Sequence, residues 1–361
     1  MALALHEFHE ALGARFGTQN GCEIVTDYGD ATAEYQALRE SVAVFDLSYR
    51  GRLCLTGADR VRFLNGQVTN NVKDLRVGQG CYAALVTAKG KLQSDLNIFV
   101  LPDELLLDFE PGLVEPVTQR LEKFIIADDA QVVDAGLYYG LLSVAGPRAG
   151  AAIERLGLNW KLPAEPRDST SSKDGTLGEI YLMNQPRAGA AGYDLFVPLS
   201  SQGALMDKLI AAAKELGGRV CGWQAMETAR IEAGVPRFGA DMDESNLAPE
   251  CLGEAAISYS KGCYIGQEVI ARVRTYGQVA KSLCGLRLAD DLKLLPVKGD
   301  KLFHEGKEVG FVTSAVASPR HQANLALGYV RKEANAVGTE LEVRLGEGSA
   351  RARIAEIPFR F

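Results

Sequence analysis

The chain has 361 residues, 47% of them hydrophobic and 24% charged, with a net charge of −7. That length exceeds one ordinary single-core domain, so two or three substructures with a sizeable buried core are expected. An acidic chain lacks the surplus of Lys and Arg that nucleic-acid coating draws on, and no stretch reaches the roughly 18 consecutive apolar residues of a membrane span, so neither nucleic acid nor membrane is an expected partner.

The first residues, MALALHEFHEALGARFG, carry His6, Glu7 and Glu10 inside their apolar pattern, unlike a secretory leader, and a cytoplasmic location is expected. After Gly57, Asp59 stands as a cap-type residue before Val61, Leu64 and Val68 at helical spacing. From Gly80, CYAALVTAKGKLQSDLNIFV and ELLLDFE read as strands separated by turns at Lys89-Gly90 and Pro102-Asp103. A helix in VEPVTQRLEKFII and a strand in DAQVVDA complete one α+β unit on an antiparallel sheet. A second α+β region begins near Leu141, passes through polar PRDSTSSKDGTLG, read as a surface loop, and continues with strand-like GYDLFVPL. Helices are expected over Gln202–Leu216 and Trp223–Ala233. Beyond Tyr276, short strands with glycine turns predict a small antiparallel barrel or sandwich.

Three places carry candidate chemistry. In KGCYIGQEVIARVR, Gly262 and Gly266 bracket Cys263 at a turn, and a short helix can start at Gln267. A thiol near a helix N-terminus, between Lys261 and Tyr264, would have its thiolate stabilised; the alternative is a small residue buried in a tight turn, and spacing does not choose. In KGKLQSDLNIFV, alternation puts Leu92, Ser94, Leu96 and Ile98 on one face and Gln93, Asp95, Asn97 and Phe99 on the other. Asp95 is then either a carboxylate aimed into a cleft or part of a solvated face, and Asp194 in AGYDLFVP has the same two readings. GADMDESNLAPE fails the calcium-loop motif, with Asn246 at the sixth position and Leu252 at the twelfth, and reads as an acidic connector. Seven scattered cysteines (22, 54, 81, 221, 251, 263 and 284) without a CxxC pair fit reduced thiols, and no metal site is expected.

KGCYIGQE at 261–268 resembles the signature of the YgfZ family, relatives of the folate-binding T-protein (aminomethyltransferase) of the glycine cleavage system. Six further segments carry the likeness in order: FDLSYRGRL, FLNGQVTNNV, LEKFIIADD, RIEAGVPRFGADMDE, GKEVGFVTSAVASPR and ALGYV. The resemblance implies an α+β, three-lobed arrangement around a central folate cavity, with a C-terminal antiparallel β-barrel. On that pattern one α+β domain takes 1–48 and 140–245, a second takes 49–139, a connector with the motif takes 246–276, and the barrel takes 277–361. The implied cofactor is tetrahydrofolate. Asp95 matches an aspartate beside the reactive folate nitrogens, Asp194 an acid that hydrogen-bonds the pterin, and Tyr82 a tyrosine of the folate pocket. Cys263 matches the cysteine of the signature motif, formed here by Lys261, Gly262, Cys263, Tyr264, Gly266, Gln267 and Glu268, and Cys263 and Asp95 are the residues expected to carry chemistry.

The departures are specific. Ser94-Asp95 stands where T-proteins have two aspartates, Met226 stands where they have an arginine, and NQPRAGAAGYD lacks their tyrosine and is shorter. Losing an arginine that could pair with the anionic end of folate removes a contact worth ~1.5–3 kcal/mol. The reading drawn from the resemblance is a folate-binding accessory protein, acting through Cys263, that supports iron–sulfur cluster assembly or repair in client enzymes, including RNA-modifying ones. The alternatives are a folate-dependent aminomethyltransferase or other one-carbon transferase, and a scaffold with a vestigial folate cavity. A monomer is expected, because no exposed heptad stripe is evident.

Overall fold

The structure, a computed structural model, describes residues 2–276, 279–346 and 348–360. The expected start of the last domain, residue 277, lies outside them. The chain divides into two compact units, Met1–Leu85 with Ser94–Met226 and Ala256–Tyr264, and Val86–Gln93 with Glu227–Ala255 and Ile265–Phe361.

The first unit is built on two large sheets, beside a two-stranded one of Arg15–Gln19 and Cys22–Asp27. Alternating apolar residues from Leu53 to Leu107 form the five-stranded sheet, whose strands run in the order Gly80–Val86, Leu92–Val100, Leu105–Phe109, Gly51–Thr56 and Gln131–Asp134. One face of it buries Leu53, Leu55, Leu96, Ile98, Leu105 and Leu107 against Phe63 and Leu64 of the helix Arg60–Gln67 and Val117 and Leu121 of the helix Val114–Glu122. At ~1.5–3 kcal/mol for each large side chain removed from water, this face fixes the register of every strand, and therefore which residues point the other way. Asp59 precedes its helix as expected but does not cap it. Its carboxylate instead accepts from the Asp129 N–H at 2.9 Å and from Arg62 at 3.3 Å.

The second sheet has six strands, in the order Ser169–Asp174, Gly178–Asn184, Gly192–Pro198, Tyr139–Ala145, Ala43–Asp46 and Arg219–Val220. The helices Gln202–Glu215 and Ala149–Glu154 pack on it through Leu205, Met206, Leu209, Ala152 and Ile153. The polar stretch read as a surface loop is a correction: Ser169–Asp174 pairs antiparallel with Gly178–Asn184. It is an edge strand whose backbone needs only one partner, so its side chains need not be apolar. Asp174 closes the hairpin by accepting the N–H groups of Thr176 and Leu177, each at 2.8 Å.

The second unit contains a closed barrel of six antiparallel strands, in the order Lys281–Leu288, Ala323–Arg331, Lys307–Ser318, Lys301–His304, Glu340–Arg344 and Ser349–Ala355. Leu286, Leu302, Val312, Val330, Val343 and Ile354 fill it. The acidic connector reading needs correcting here, because Asp241 is buried and structural. Its carboxylate takes Arg230 at 2.5 Å, Thr313 Oγ1 at 2.6 Å and Ser314 Oγ at 2.7 Å, while Arg230 also binds Glu227. These bonds tie the helix Trp223–Glu232 to the strand Lys307–Ser318.

Candidate functional site

The face of the five-stranded sheet opposite its apolar core carries polar residues that are buried all the same. Asn97 and Arg52 both stand opposite Asp108 in the strand register, so the three side chains share a row across the sheet. Asp108 is fully buried and accepts from Arg50 Nε at 2.7 Å, Arg187 Nη2 at 2.8 Å and Asn97 Nδ2 at 3.0 Å. Burial alone would raise its pKa, but Arg187 and Arg50 outweigh it and hold the carboxyl at about 2. Arg50 also pairs with Glu110, and Arg187 pairs with Asp194 at 2.5 Å, so five charged groups form one alternating chain.

Asp95 lies on the same strand as Asn97, two residues earlier and on the same face. Its Oδ2 accepts the Tyr82 hydroxyl at 2.8 Å from the neighbouring strand, and its Oδ1 is buried with no hydrogen-bond partner in another described residue. Burial, with the nearby negative charge of Glu110 next, pushes its pKa up to about 6. The solvated-face alternative for Asp95 therefore does not describe the fold. Arg167, in the left-handed backbone region at φ 70°, sets its guanidinium 5.4 Å from the Tyr82 ring centroid and donates to Asn97 Oδ1 at 3.4 Å. The Tyr82–Asp95 pair is thereby linked through Arg167 and Asn97 to the chain centred on Asp108.

Asp194 is fully buried, which rules out a solvated face for it as well. Burial raises its pKa, and Arg187, which binds Oδ2 through both Nε at 2.8 Å and Nη2, offsets that in part. Ser143, opposite it in the neighbouring strand, also favours its charged form, while Oδ1 makes no hydrogen bond of good geometry among the described residues. Ser94, one of the departures noted from the sequence, is buried and donates to the Asp95 carbonyl at 3.0 Å, and Met226 is half-buried.

The motif segment is positioned by its lysine. Lys261 is buried, and its ammonium donates to the carbonyls of Asn65, Val68 and Asn70 at 2.5, 2.8 and 2.7 Å, around the C-terminus of the helix Arg60–Gln67. Those carbonyls include ones a helix leaves unpaired, and a cation there also meets the negative end of the helix dipole. Burial lowers the Lys261 pKa to about 8. Tyr264 is buried with its ring centroid 5.0 Å from the ammonium. Thr69 adds two bonds, to Ala256 O at 2.7 Å and from Ser258 N at 3.0 Å. Gly262 and Cys263 are left exposed between the two buried anchors. Neither of the two readings from motif spacing describes Cys263 in full: it is not a buried turn residue, and the Lys261 ammonium is committed to backbone carbonyls instead of serving the thiol. Gln267 begins the helix Gln267–Tyr276 as expected, Glu268 is exposed, and Gly266 has φ +83° with any added Cβ 2.5 Å from Thr87 O.

Arg50, Asp108, Glu110, Arg167 and Arg187 are the members of the cluster that sequence reasoning missed. They come from four separate segments with no shared motif; only the charge of Arg187 beside Asp194 in PRAGAAGYD was a local sign. Among the described residues, no three His, Cys, Asp or Glu side chains converge on a metal-binding geometry.

Two family models together match nearly the whole chain: the GCVT N-terminal domain over residues 5–261, and the glycine cleavage T-protein C-terminal barrel domain over residues 281–360. The chain belongs to the glycine cleavage T-protein family. It is 28% identical to an aminomethyltransferase of Symbiobacterium thermophilum over 364 residues, covering 98% of this chain and 96% of that one. It is also 28% identical to a putative chloroplastic transferase of Arabidopsis thaliana over 360 residues, covering 98% of this chain and 79% of that one. The crystal structure of the glycine cleavage system aminomethyltransferase T from Bartonella henselae superposes with a TM-score of 0.90 at 23% identity, covering 100% of this chain and 98% of that one. That likeness establishes the fold, a mixed α/β T-protein fold with a C-terminal closed six-stranded barrel.

Proposed function

We propose that this member of the T-protein family binds tetrahydrofolate and transfers a one-carbon unit to it from an amine donor, with Asp95 as the carboxylate that meets the folate nitrogens. The observation that carries this reading is the state of Asp95: one oxygen held by Tyr82, the other buried with no hydrogen-bond partner in another described residue, and a pKa pushed up to about 6 by burial. A buried acceptor without a donor costs about 1–3 kcal/mol, a cost that a ligand N–H offsets. A carboxyl poised near neutrality can also take a proton from a nitrogen as a carbon bond forms there. Relatives named aminomethyltransferase that match over almost the full length favour this reading over the accessory one.

The accessory reading is kept as a second proposal on one observation, the exposed Cys263 held between the buried Lys261 and Tyr264. In it the protein is of the YgfZ type, binds folate and uses the thiol to support iron–sulfur client enzymes. The experiment that separates the two is incubation of the protein with tetrahydrofolate and aminomethyl donors, assayed for methylene-tetrahydrofolate. Product that disappears in Asp95→Asn supports transfer. Absence of product with every donor, in a protein that binds tetrahydrofolate, overturns it in favour of the accessory role, which Cys263→Ala complementation of iron–sulfur enzyme activity then tests.

A further inference from the structure

A cavity of about 100 Å³ in the first unit shares only Arg52 with the residues above, and its lining includes Leu3, Glu23, Ser48, Arg52, Gly136 and Leu199. Arg52 is only 4% exposed, yet its guanidinium makes a single hydrogen bond among the described residues, from Nη1 to Ser48 O at 3.0 Å. Its Nε is buried with no acceptor among the described residues. Asp108, Asp46 and Asp134 act on it only as charges at a distance. This contrasts with Arg50 and Arg187, each of which has two carboxylates in contact. Burying a cation so sparsely paired is costly, and in folded proteins the usual compensation is a counter-charge. Nη2 lies beside Gly136, since a Cβ built on that glycine would stand 3.1 Å from it.

The other polar wall carries the opposite sign at Glu23, on which the His6 ring and the chain's N-terminal ammonium also act as charges. Glu23 accepts from Leu3 N at 3.0 Å and from His6 Nδ1 at 2.9 Å, both on Oε2, so Oε1 makes no bond among the described residues. A simple anion would therefore meet Arg52 favourably and Glu23 unfavourably, and a simple cation the reverse. A molecule bearing both charges satisfies both walls. A cavity of about 150 Å³ admits benzene, so this one limits the occupant to roughly five heavy atoms.

We propose that this cavity binds a compact zwitterion of small-amino-acid size, its carboxylate on Arg52 and its ammonium on Glu23. The test is calorimetric titration of the reduced full-length protein with glycine, acetate and methylamine at one ionic strength. Glycine should bind saturably at one site, and acetate and methylamine, each carrying half of the charge pattern, at least about tenfold more weakly. Arg52→Met should weaken glycine binding by roughly ten- to a hundredfold, the loss of a hydrogen bond to a charged group. Because that variant could fail to fold, Gly136→Ala provides an independent reading: it keeps the guanidinium, sets a Cβ 3.0 Å from Asp134 Oδ1 and 3.1 Å from Arg52 Nη2, and by crowding the cation should also weaken glycine binding. No saturable binding of glycine, acetate binding as tightly as glycine, or glycine binding unchanged in Gly136→Ala would each overturn the assignment.

Discussion

Replacing Asp108 by Asn removes the charge at the centre of the buried ionic chain while keeping the side chain's shape. In the wild type Arg187 and Arg50 hold this carboxylate at about 2, well below its ordinary 3.8, which corresponds to roughly 2–3 kcal/mol of stability near neutral pH. Breaking a buried pair outright costs ~3–5 kcal/mol. Here Arg50 keeps Glu110 and Arg187 keeps Asp194, so a loss of about 2–3 kcal/mol is expected. Both tryptophans, Trp160 and Trp223, lie in the same unit as Asp108, so fluorescence-detected urea unfolding reports on it. With a denaturant slope of about 2–3 kcal/mol per molar urea, the midpoint should fall by about 1 M. The pH dependence carries the sign. A lowered folded-state pKa gives stability that is full above about pH 4 and lost as pH falls towards 2, so variant and wild type should converge in acid. An unchanged midpoint at pH 7, or a gap that persists at pH 2, would refute the reasoning.

Cys263 is the one cysteine among the seven whose side chain is exposed, so it should react first with an aromatic disulfide reagent in the native protein, and Cys263→Ser should remove the fast phase. Cys54 and Cys221 are buried and should react only on unfolding; a fast phase that survives the substitution would contradict the geometry. Gly266→Ala forces a side chain into the left-handed region with its Cβ 2.5 Å from Thr87 O, and should destabilise by more than about 1 kcal/mol in thermal unfolding, whereas a neutral result would show that the turn can shift. Asp95 has a raised folded-state pKa, so the stability it contributes is full below about pH 4 and is lost as pH rises through about 6. Tyr82→Phe removes a donor to the ionised form and should move that loss to higher pH, read from stability–pH profiles of the two proteins; coincident profiles would count against the Tyr82–Asp95 bond.

Periodicity made most of the fold legible. The apolar alternation of the strand Leu92–Val100, the helical spacing after Asp59 and the short strands beyond Tyr276 each led to the element found. The hairpin strand Ser169–Asp174 escaped because an edge strand with polar residues on both faces has no alternation to detect. The candidate site was legible only in part. Strand alternation put Asp95 on the correct face, and the YgfZ-like motif marked Cys263, but neither says that the Asp95 face is buried. That depends on Arg50, Arg187 and Arg167, which arrive from distant segments, and an arginine between small and polar residues looks the same whether it ends in water or against two carboxylates. Lys261 is the reverse case: its place beside Cys263 in sequence suggested an electrostatic partner for the thiol, while three carbonyls nearly two hundred residues away hold its ammonium.

The most direct test of the central proposal is calorimetric titration of the purified, reduced protein with tetrahydrofolate, beside Asp95→Ala. The account predicts saturable binding by the wild type that is lost or weakened by roughly ten- to a hundredfold in the variant, as expected for removing a charged hydrogen-bond acceptor. Absence of binding in the wild type, or equal affinity in the two proteins, would contradict it.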